Sequence, residues 1–295
     1  VWRNATAMWR ILWRKTTAMI KIRKLKELDA REMDGLLNRF GDDFSAIMIN
    51  SVVPIVNDVR ANRDEAVIRY TEKFDGIRLQ SLCATEKEIE DAYARIPREV
   101  IDAFTRAKEN IEEFHSHQKR DNIIYTRDDG TTLGIQYEPI ENKATYPSSV
   151  LMGAIPAIIA GAKEITVITP PDKRGSVPDS VLAVCRILGL RSILKSGGAQ
   201  GIAAAGFGTE SVKKADIIVG PGNIYVALAK KEVYGYTDID MIAGPSEVLV
   251  IADKTANATY VAADLMSQAE HDALASAVLL TDSRTVAERA LEELE

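Results

Sequence analysis

Short apolar runs that alternate with helical segments are the feature that most constrains how this chain can fold. Between Pro147 and about Tyr236, each short apolar run is followed by a segment whose apolar residues recur every three or four positions, the spacing of one helix face. The stretch from Val248 to Leu294 repeats this order. Strands joined through a helix run parallel in one sheet, so the alternation predicts an α/β fold with parallel strands.

Helical patterning precedes the α/β region. Apolar residues recur at helical spacing from Asp29 to about Gln118, with a break around Arg63. Thr85 and Glu88 have the spacing of a capping box that begins one helix. A pair of strands then meets at an Asp129-Gly130 turn. We therefore expect a helical N-terminal layer beside the parallel sheets.

The patterning predicts two similar Rossmann-like three-layer α/β domains. Residues 27–146 and 237–295 form the first, which is discontinuous, and residues 147–236 form the second, inserted into the first. Residues 1–26 hold all three tryptophans and no acidic residue, and we place this basic extension outside the fold, with Met19 as the natural start. The alternative is a basic amphipathic segment for a membrane surface or for organelle import, but no periodic apolar face develops there.

Composition excludes several classes of protein. The 295 residues are 46% hydrophobic with a formal net charge of -6, so a substantial core can form and nucleic acid is not expected as a partner. No apolar run reaches the roughly 20 residues that cross a bilayer, so no membrane partner is expected. Cys83 and Cys185 lie far apart without metal-site spacing, which is typical of free thiols in a reducing cytoplasm.

Two glycine turns are placed where ligands bind in open α/β sheets. Gly197-Gly198-Ala199-Gln200 and Gly220-Pro221-Gly222-Asn223 each lie between a predicted strand and a helix, where exposed backbone N–H groups favour a phosphate. Neither turn has the G-x-G-x-x-G spacing of a dinucleotide fingerprint. Taken alone, each turn is more often a structural connection than a cofactor site, so both interpretations stay open.

Three further residues have side chains that suit ligand chemistry. Ser246 follows Gly244-Pro245 at a predicted turn, where a serine most often hydrogen-bonds locally and nothing marks it as a nucleophile. Gln268 and His271 are three apart on a predicted helix and therefore share one face. Imidazole is a good zinc ligand and an amide oxygen an unusual one, and a lone helical histidine is more often packed or solvated than metal-bound.

These motifs resemble one enzyme family over most of the chain. The stretch IDMIAGPSEVLVIAD at 239–253, the stretch SQAEH at 267–271 and the Gly220–Asn223 turn closely resemble histidinol dehydrogenase, with similarity from about Lys21 to the end. The resemblance implies an NAD-dependent zinc oxidoreductase that oxidises L-histidinol through L-histidinaldehyde to L-histidine, the last step of histidine biosynthesis. It also implies a homodimer and a fold type shared with aldehyde dehydrogenases.

The resemblance gives roles to individual residues. It implies that Gln200 and Asn223 contact NAD, so that the inserted domain forms the NAD side of the protein. It implies that Ser246, Gln268 and His271 contact the histidinol substrate. It further implies that Gln268 and His271 are zinc ligands, so that the discontinuous domain forms the zinc side.

The chain departs from the family pattern at two places. It ends at Glu295, before the family's Glu-His proton-transfer pair and two further zinc ligands, so no catalytic residue is assigned and we expect this truncated chain to be inactive alone. Only Asn142-Lys143 stands where the family has a glycine-rich strand and turn, with a tyrosine that contacts NAD. We therefore expect an internal deletion that removes the first strand of the NAD-side sheet and exposes the edges of its neighbours.

Two other functional classes compete with this assignment. One is a non-catalytic α/β nucleotide-binding remnant of the same family. The other is an aldehyde-oxidising relative, which needs a nucleophilic cysteine. Cys185 lies among Val184, Ile187 and Leu188 on an apolar helix, where burial would raise the pKa of its thiol, so this second class is rejected.

Overall fold

The chain forms two compact units. The larger lies within Gly41–Gly244, and the described residues before and after it form the smaller. The larger unit joins the helices and the hairpin of 45–135 to the strands and helices of 147–242, so its boundaries differ from the predicted domain boundaries. The predicted inserted domain of 147–236 stays a prediction. The computed structural model describes residues 20, 22–37, 45–135, 147–242, 247–270 and 275–294.

The order of helices and strands follows the alternation that the sequence predicts. Helices come first, an antiparallel hairpin follows, and strands then alternate with helices. No helix in the described ranges is long and apolar enough to span a bilayer. The α-helices are α1 (Ala30–Leu37), α2 (Val53–Asp75), α3 (Glu86–Arg95), α4 (Arg98–Ser116), α5 (Pro147–Ala160), α6 (Asp179–Ile187), α7 (Gly198–Phe207), α8 (Ile224–Val233), α9 (Ala258–Ala269) and α10 (Arg284–Leu294). A 3-10 helix (Leu25–Glu27) precedes α1, and a π-helical turn (Met48–Val52) leads into α2. The strands are β1 (Ile123–Thr126), β2 (Thr132–Ile135), β3 (Thr166–Thr169), β4 (Ser192–Lys195), β5 (Ile217–Ile218), β6 (Asp238–Ile239), β7 (Glu247–Ala252) and β8 (Ser276–Thr281).

Three local predictions are confirmed. Helix α2 is kinked at Arg63, which has a φ of 47° and a ψ of -128°. Thr85 and Glu88 exchange the hydrogen bonds of a capping box at the start of α3. Gly130, with a φ of 84°, lies in the turn of the hairpin formed by β1 and β2. Each of these features is determined by residues only a few positions apart, which is why the sequence alone predicts them.

Parallel strands confirm the α/β class, but they form separate pairs. In the larger unit β3 pairs with β4 and β5 pairs with β6, and in the smaller unit β7 pairs with β8. The continuous sheet expected of a Rossmann-like domain is therefore not seen among the described residues. The loss of one strand, as the sequence predicts, would produce this separation if that strand lay between β3 and β5. The predicted deletion at Asn142-Lys143 lies outside the described residues, so its structure is not described.

The segment that precedes α3 covers the free edge of β4. The backbone N–H of Ala84 donates to the carbonyl oxygen of Ile193 at 2.9 Å. The backbone N–H of Lys195 donates to the carbonyl oxygen of Leu82 at 2.7 Å. An uncovered strand edge would leave these backbone groups unpaired. The chain before α3 therefore completes the hydrogen bonding of β4 on the side away from β3.

Helix α7 lies in one of the two apolar clusters that form the core of the larger unit. It packs against α2 and α8, and the helix itself is rich in alanine and glycine, whereas the core around it is mainly valine, isoleucine and leucine. A Cβ atom added to Gly201 would stand 3.1 Å from the carbonyl oxygen of Ser196, and one added to Gly206 would stand 2.9 Å from the Cβ of Val233. Because interiors are close-packed, such contacts leave no room for a larger residue. Glycine at positions 201 and 206 therefore allows α7 to lie this close to Ser196 and Val233.

The smaller unit is a parallel strand pair covered on one face. Helices α9 and α10 pack against β7 and β8 through a small apolar cluster that includes Val250, Leu265 and Val286. Alternate residues of β7, such as Leu249 and Ile251, are exposed. This alternation is the expected result of a strand with one covered face.

Replacing Gly206 with alanine tests the close packing of α7 on α8. Alanine favours a helix over glycine by about 1 kcal/mol, but at Gly206 its Cβ would meet the buried Val233. Gly35 in α1 is the matched control because a Cβ there meets nothing within 4 Å. Urea unfolding should show that G206A is less stable than G35A by about 1–3 kcal/mol, each measured against the unsubstituted chain. Equal changes in the free energy of unfolding for the two variants would show that the packing around Gly206 can accommodate a methyl group.

Candidate functional site

The first glycine turn lies at the carboxyl ends of β3 and β4. Gly197 is the N-cap residue of α7, and a Cβ on it would stand 3.1 Å from the Cβ of Pro170, which follows β3. Gly198 has a φ of 57°, a conformation that glycine adopts without strain. The first turn of a helix has backbone N–H groups without intrahelical partners, and the helix dipole favours an anion there. The turn therefore has the backbone geometry of an anion site.

Gln200 is the buried polar residue of this turn. It is 2% exposed, and its Oε1 lies close to Gly198, where an added Cβ would stand 2.8 Å away. This oxygen accepts no hydrogen bond from any described residue. A buried acceptor without a donor costs roughly 1–3 kcal/mol. A ligand that donates a hydrogen bond to Oε1 would remove this cost, so the turn fits a nucleotide.

Two long-range contacts hold the strand end beneath this turn. The Oγ of Ser196 lies 3.0 Å from the Oγ1 of Thr71 on α2, and both residues are buried. The Nζ of Lys195 donates to the Oε1 of Glu88 on α3 at 3.1 Å. Burial raises the pKa of Glu88, but hydrogen bonds from Thr85 and Lys195 outweigh burial and lower that pKa overall. The carboxylate therefore stays charged, and the end of β4 is tied to two helices.

The second glycine turn follows β5 and leads into α8. Asn223 is exposed and is the N-cap residue of α8, where its Oδ1 accepts a hydrogen bond from the backbone N–H of Val226 at 3.1 Å. A Cβ on Gly222 would stand 2.4 Å from the Cγ1 of Val226, so glycine is required there. Because the cap uses the oxygen, the –NH2 group of Asn223 is the part that can donate to a ligand. Gln200 and Asn223 thus follow different parallel strands, each at the carboxyl end.

An ion pair between a buried lysine and a partly exposed aspartate, beneath the second turn, was not predicted from the sequence. Lys230 on α8 is 2% exposed, and its Nζ pairs with the Oδ1 of Asp240, which follows β6. Lys230 lies four residues after Val226 and three before Val233, on the apolar face of α8. A lysine on the apolar face of a helix indicates an ion pair in the interior, since a buried charge needs a partner of opposite sign. The identity of the partner depends on how β6 packs, which the spacing of residues does not show.

The predicted zinc and substrate residues are only partly described. Ser246 and His271 lie outside the described residues, while Gln268 lies half-buried in the last turn of α9. Among the described residues, no group of three or more His, Cys, Asp or Glu side chains could hold a metal ion. The common face of Gln268 and His271 therefore stays a prediction. In this donor set the imidazole suits zinc well, and the amide oxygen is a weaker ligand.

Neither cysteine has the properties of a nucleophile. Cys185 is fully buried on α6, and burial raises the pKa of its thiol to about 12. Cys83 is partly buried, and burial, with a further contribution from the charge of Asp64, raises the pKa of its thiol. Because the thiolate is the reactive form, raised pKa values suppress reactivity at neutral pH. The predicted burial of Cys185 is confirmed, and a mechanism that needs an activated cysteine lacks one here.

Alkylation of the C83S variant tests the inertness of Cys185. With Cys83 removed, iodoacetamide at about pH 8 should leave the folded chain unmodified, because the Cys185 thiol ionises only at a pH near 12. Unfolding in urea should expose the thiol and permit one modification, detected by mass spectrometry. Rapid modification of the folded variant would contradict the burial of Cys185 and return a cysteine nucleophile to consideration.

Comparisons with known proteins agree on one family. Residues 39–295 match the family model described as histidinol dehydrogenase. Histidinol dehydrogenase of Clostridium acetobutylicum is 48% identical over 258 residues, which cover 85% of this chain and 60% of the relative. That of Bacillus subtilis is 48% identical over 246 residues, which cover 81% of this chain and 58% of the relative.

A solved structure agrees with these relatives. The crystal structure of histidinol dehydrogenase from Elizabethkingia anophelis matches with a TM-score of 0.73 at 40% identity, covering 86% of this chain and 63% of that chain. The chain spans about 60% of the length of the curated relatives that it matches. With a family match over most of its residues and relatives at nearly half identity, the chain belongs to the histidinol dehydrogenase family.

Proposed function

We propose that this chain takes part in the NAD-dependent oxidation of L-histidinol through L-histidinaldehyde to L-histidine, the last step of histidine biosynthesis. The observation that carries the proposal is the buried Oε1 of Gln200, which has no donor among the described residues and lies at the start of α7. The relatives are named for the dehydrogenation of histidinol, which supplies the reaction class. A dehydrogenation needs a hydride acceptor, and a nucleotide site at this turn would provide it.

Gln200 and Asn223 would hold NAD. The Oε1 of Gln200 can accept a hydrogen bond, and the –NH2 group of Asn223 can donate one. The N–H groups in the first turn of α7 favour a phosphate of the same ligand. NAD, when bound, accepts the hydride that leaves the substrate. The contribution of the chain is to fix the orientation of the nucleotide and to keep the polar groups of the turn satisfied.

Gln268 and His271 would hold Zn²⁺, and these two residues with Ser246 would contact L-histidinol. Zinc, when bound, orients the substrate and does not activate a water molecule. Two ligands are fewer than the roughly four that zinc takes in proteins. Further donors are therefore required, and we assign none within these 295 residues. We assign no proton-transfer residue within this chain.

The partners and the compartment follow the same proposal. The small-molecule partner is L-histidinol, and the protein partner is a second copy of the chain. The formal net charge of -6 disfavours nucleic acid. Both cysteines are free thiols, which suits the reducing cytoplasm in which we expect the reaction to occur.

Replacing Gln200 with methionine separates ligand binding from stability. Methionine keeps the length of the side chain and removes the unpaired oxygen, so the free energy of unfolding should stay constant or rise by about 1 kcal/mol. The Kd for NAD, measured by isothermal titration calorimetry, should rise about 3- to 10-fold through the loss of one hydrogen bond. The control is Q80M, since Gln80 is exposed and should affect neither quantity. A Q200M variant with the wild-type Kd would remove Gln200 from the site.

Replacing His271 with alanine tests the zinc assignment. Competition with a chelator should show that zinc affinity falls at least about tenfold, because the stronger of the two proposed ligands is lost. Q268A should cause a smaller loss, since an amide oxygen is the weaker ligand. The control is H117A, which removes an exposed histidine at the end of α4. Unchanged zinc affinity in H271A, with NAD binding intact, would favour the alternative of a non-catalytic nucleotide-binding member of the family.

A further inference from the structure

An ion pair holds the turn that carries Asn223. The backbone N–H of Gly220 donates to the Oδ2 of Asp240 at 2.8 Å, and the carbonyl oxygen of Gly220 accepts a hydrogen bond from the Nζ of Lys230 at 3.1 Å. Lys230 and Asp240 also pair with each other. Gly220 has a φ of 120°, in the region that L side chains rarely adopt. Both polar backbone groups of this glycine are thus bound by one charged pair.

The same carboxylate also binds the end of the neighbouring strand. The Oδ1 of Asp240 accepts a hydrogen bond from the backbone N–H of Met241 at 2.6 Å. Strands β5 and β6 run parallel, so their carboxyl ends meet at one edge of the pair. Asp240 therefore connects the chain that leaves β6 to the turn that leaves β5, and Lys230 reaches both from α8.

The stability of the fold alone does not explain why charged residues, and not apolar ones, occupy these two positions. Lys230 is 2% exposed, and the side chain of Asp240 is 23% exposed. Removing Lys230 from water, and Asp240 in part, offsets much of their attraction, and apolar residues in place of a buried ion pair often leave stability unchanged or higher. Apolar residues, however, could not bind the N–H and C=O of Gly220. The distinctive effect of the pair is therefore on the conformation of the turn.

The conformation of Gly220 determines where Asn223 lies. Only two residues separate them, and a Cβ on Gly222 would stand 2.4 Å from Val226, so the turn has little room to rearrange. Asn223 is already committed to α8 as its N-cap. A change at Gly220 would therefore move the exposed amide of Asn223 relative to the end of β5.

We propose that Lys230 and Asp240 are positioning residues that hold the Gly220–Asn223 turn in its NAD-binding conformation. They act through Gly220 and touch no ligand themselves. The inference rests on the proposed function, in which Asn223 contacts NAD.

Four variants of the full chain test this inference. K230M keeps most of the apolar volume and removes the donors to Gly220. K231M is the matched control, because Lys231 is the next residue of α8 and is exposed. K230R keeps the positive charge and can restore part of the hydrogen bonding to Gly220 and Asp240. The double variant K230M/D240L removes both charges, so that neither partner is left buried and alone. For each, the Kd for NAD, the thermal midpoint and the hydrogen exchange of the Gly220 and Met241 amides are measured.

We expect K230M to raise the Kd for NAD at least about tenfold and to speed exchange at Gly220 and Met241, because displaced ligand groups are costly even when remote from the chemistry. K231M should bind NAD as the wild type does, and K230R should lie between the two. The double variant should recover the thermal midpoint but not the affinity, since Gly220 still lacks its partners. A purely structural ion pair would not restore the thermal midpoint while leaving the affinity for NAD low.

Three outcomes would overturn the inference. NAD binding by K230M within about twofold of wild type would show that the pair does not position the turn. Recovery of both affinity and thermal midpoint in the double variant would show a purely structural role. If K230M does not fold, K230R and the double variant decide the question by the same criteria. A wild-type chain that binds no NAD would remove the proposed function and this inference together, whereas equal binding by wild type and K230M removes the inference alone.

Discussion

The close packing of α7 is the constraint on which the larger unit depends. Gly201 and Gly206 allow the helix to approach the backbone of Ser196 and the side chain of Val233 at distances that no larger residue permits. A helix held this close has its first turn enclosed at the carboxyl ends of β3 and β4. The enclosure is what buries Gln200 and leaves its oxygen without a donor among the described residues. Larger side chains on α7 would move it outward and leave the same amide in water.

Both glycine turns are supported by a lysine whose charge is buried. Lys195 lies at the end of β4 and pairs with Glu88 from α3, and Lys230 lies in α8 and pairs with Asp240 after β6. Glu88 comes from a helix 107 residues before Lys195, and Asp240 lies ten residues after Lys230 but beyond β6, so each pair forms only when the elements have packed. Turns held in this way are already organised, which reduces the ordering that the proposed binding of NAD would require.

Local and non-local features differ in how far the sequence predicts them. The capping box of Thr85 and Glu88 and the alternation of strands and helices follow from neighbouring residues, and both are confirmed. The covering of β4 by the chain before α3 and the pairing of Lys230 with Asp240 depend on which elements meet, and no local pattern indicates that. The sequence likewise places Gln200 at a strand end, but its burial without a donor is a result of tertiary packing.

A crystal structure of the chain grown with NAD tests the central claim most directly, which is that the packing of α7 prepares an unfilled acceptor for a nucleotide. We expect the nucleotide at the first turn of α7, with one of its donors about 3 Å from the Oε1 of Gln200 and with α7 unmoved against Val233. A nucleotide bound away from this turn, or a Gln200 oxygen that receives its hydrogen bond from the protein while NAD is bound, would contradict the claim.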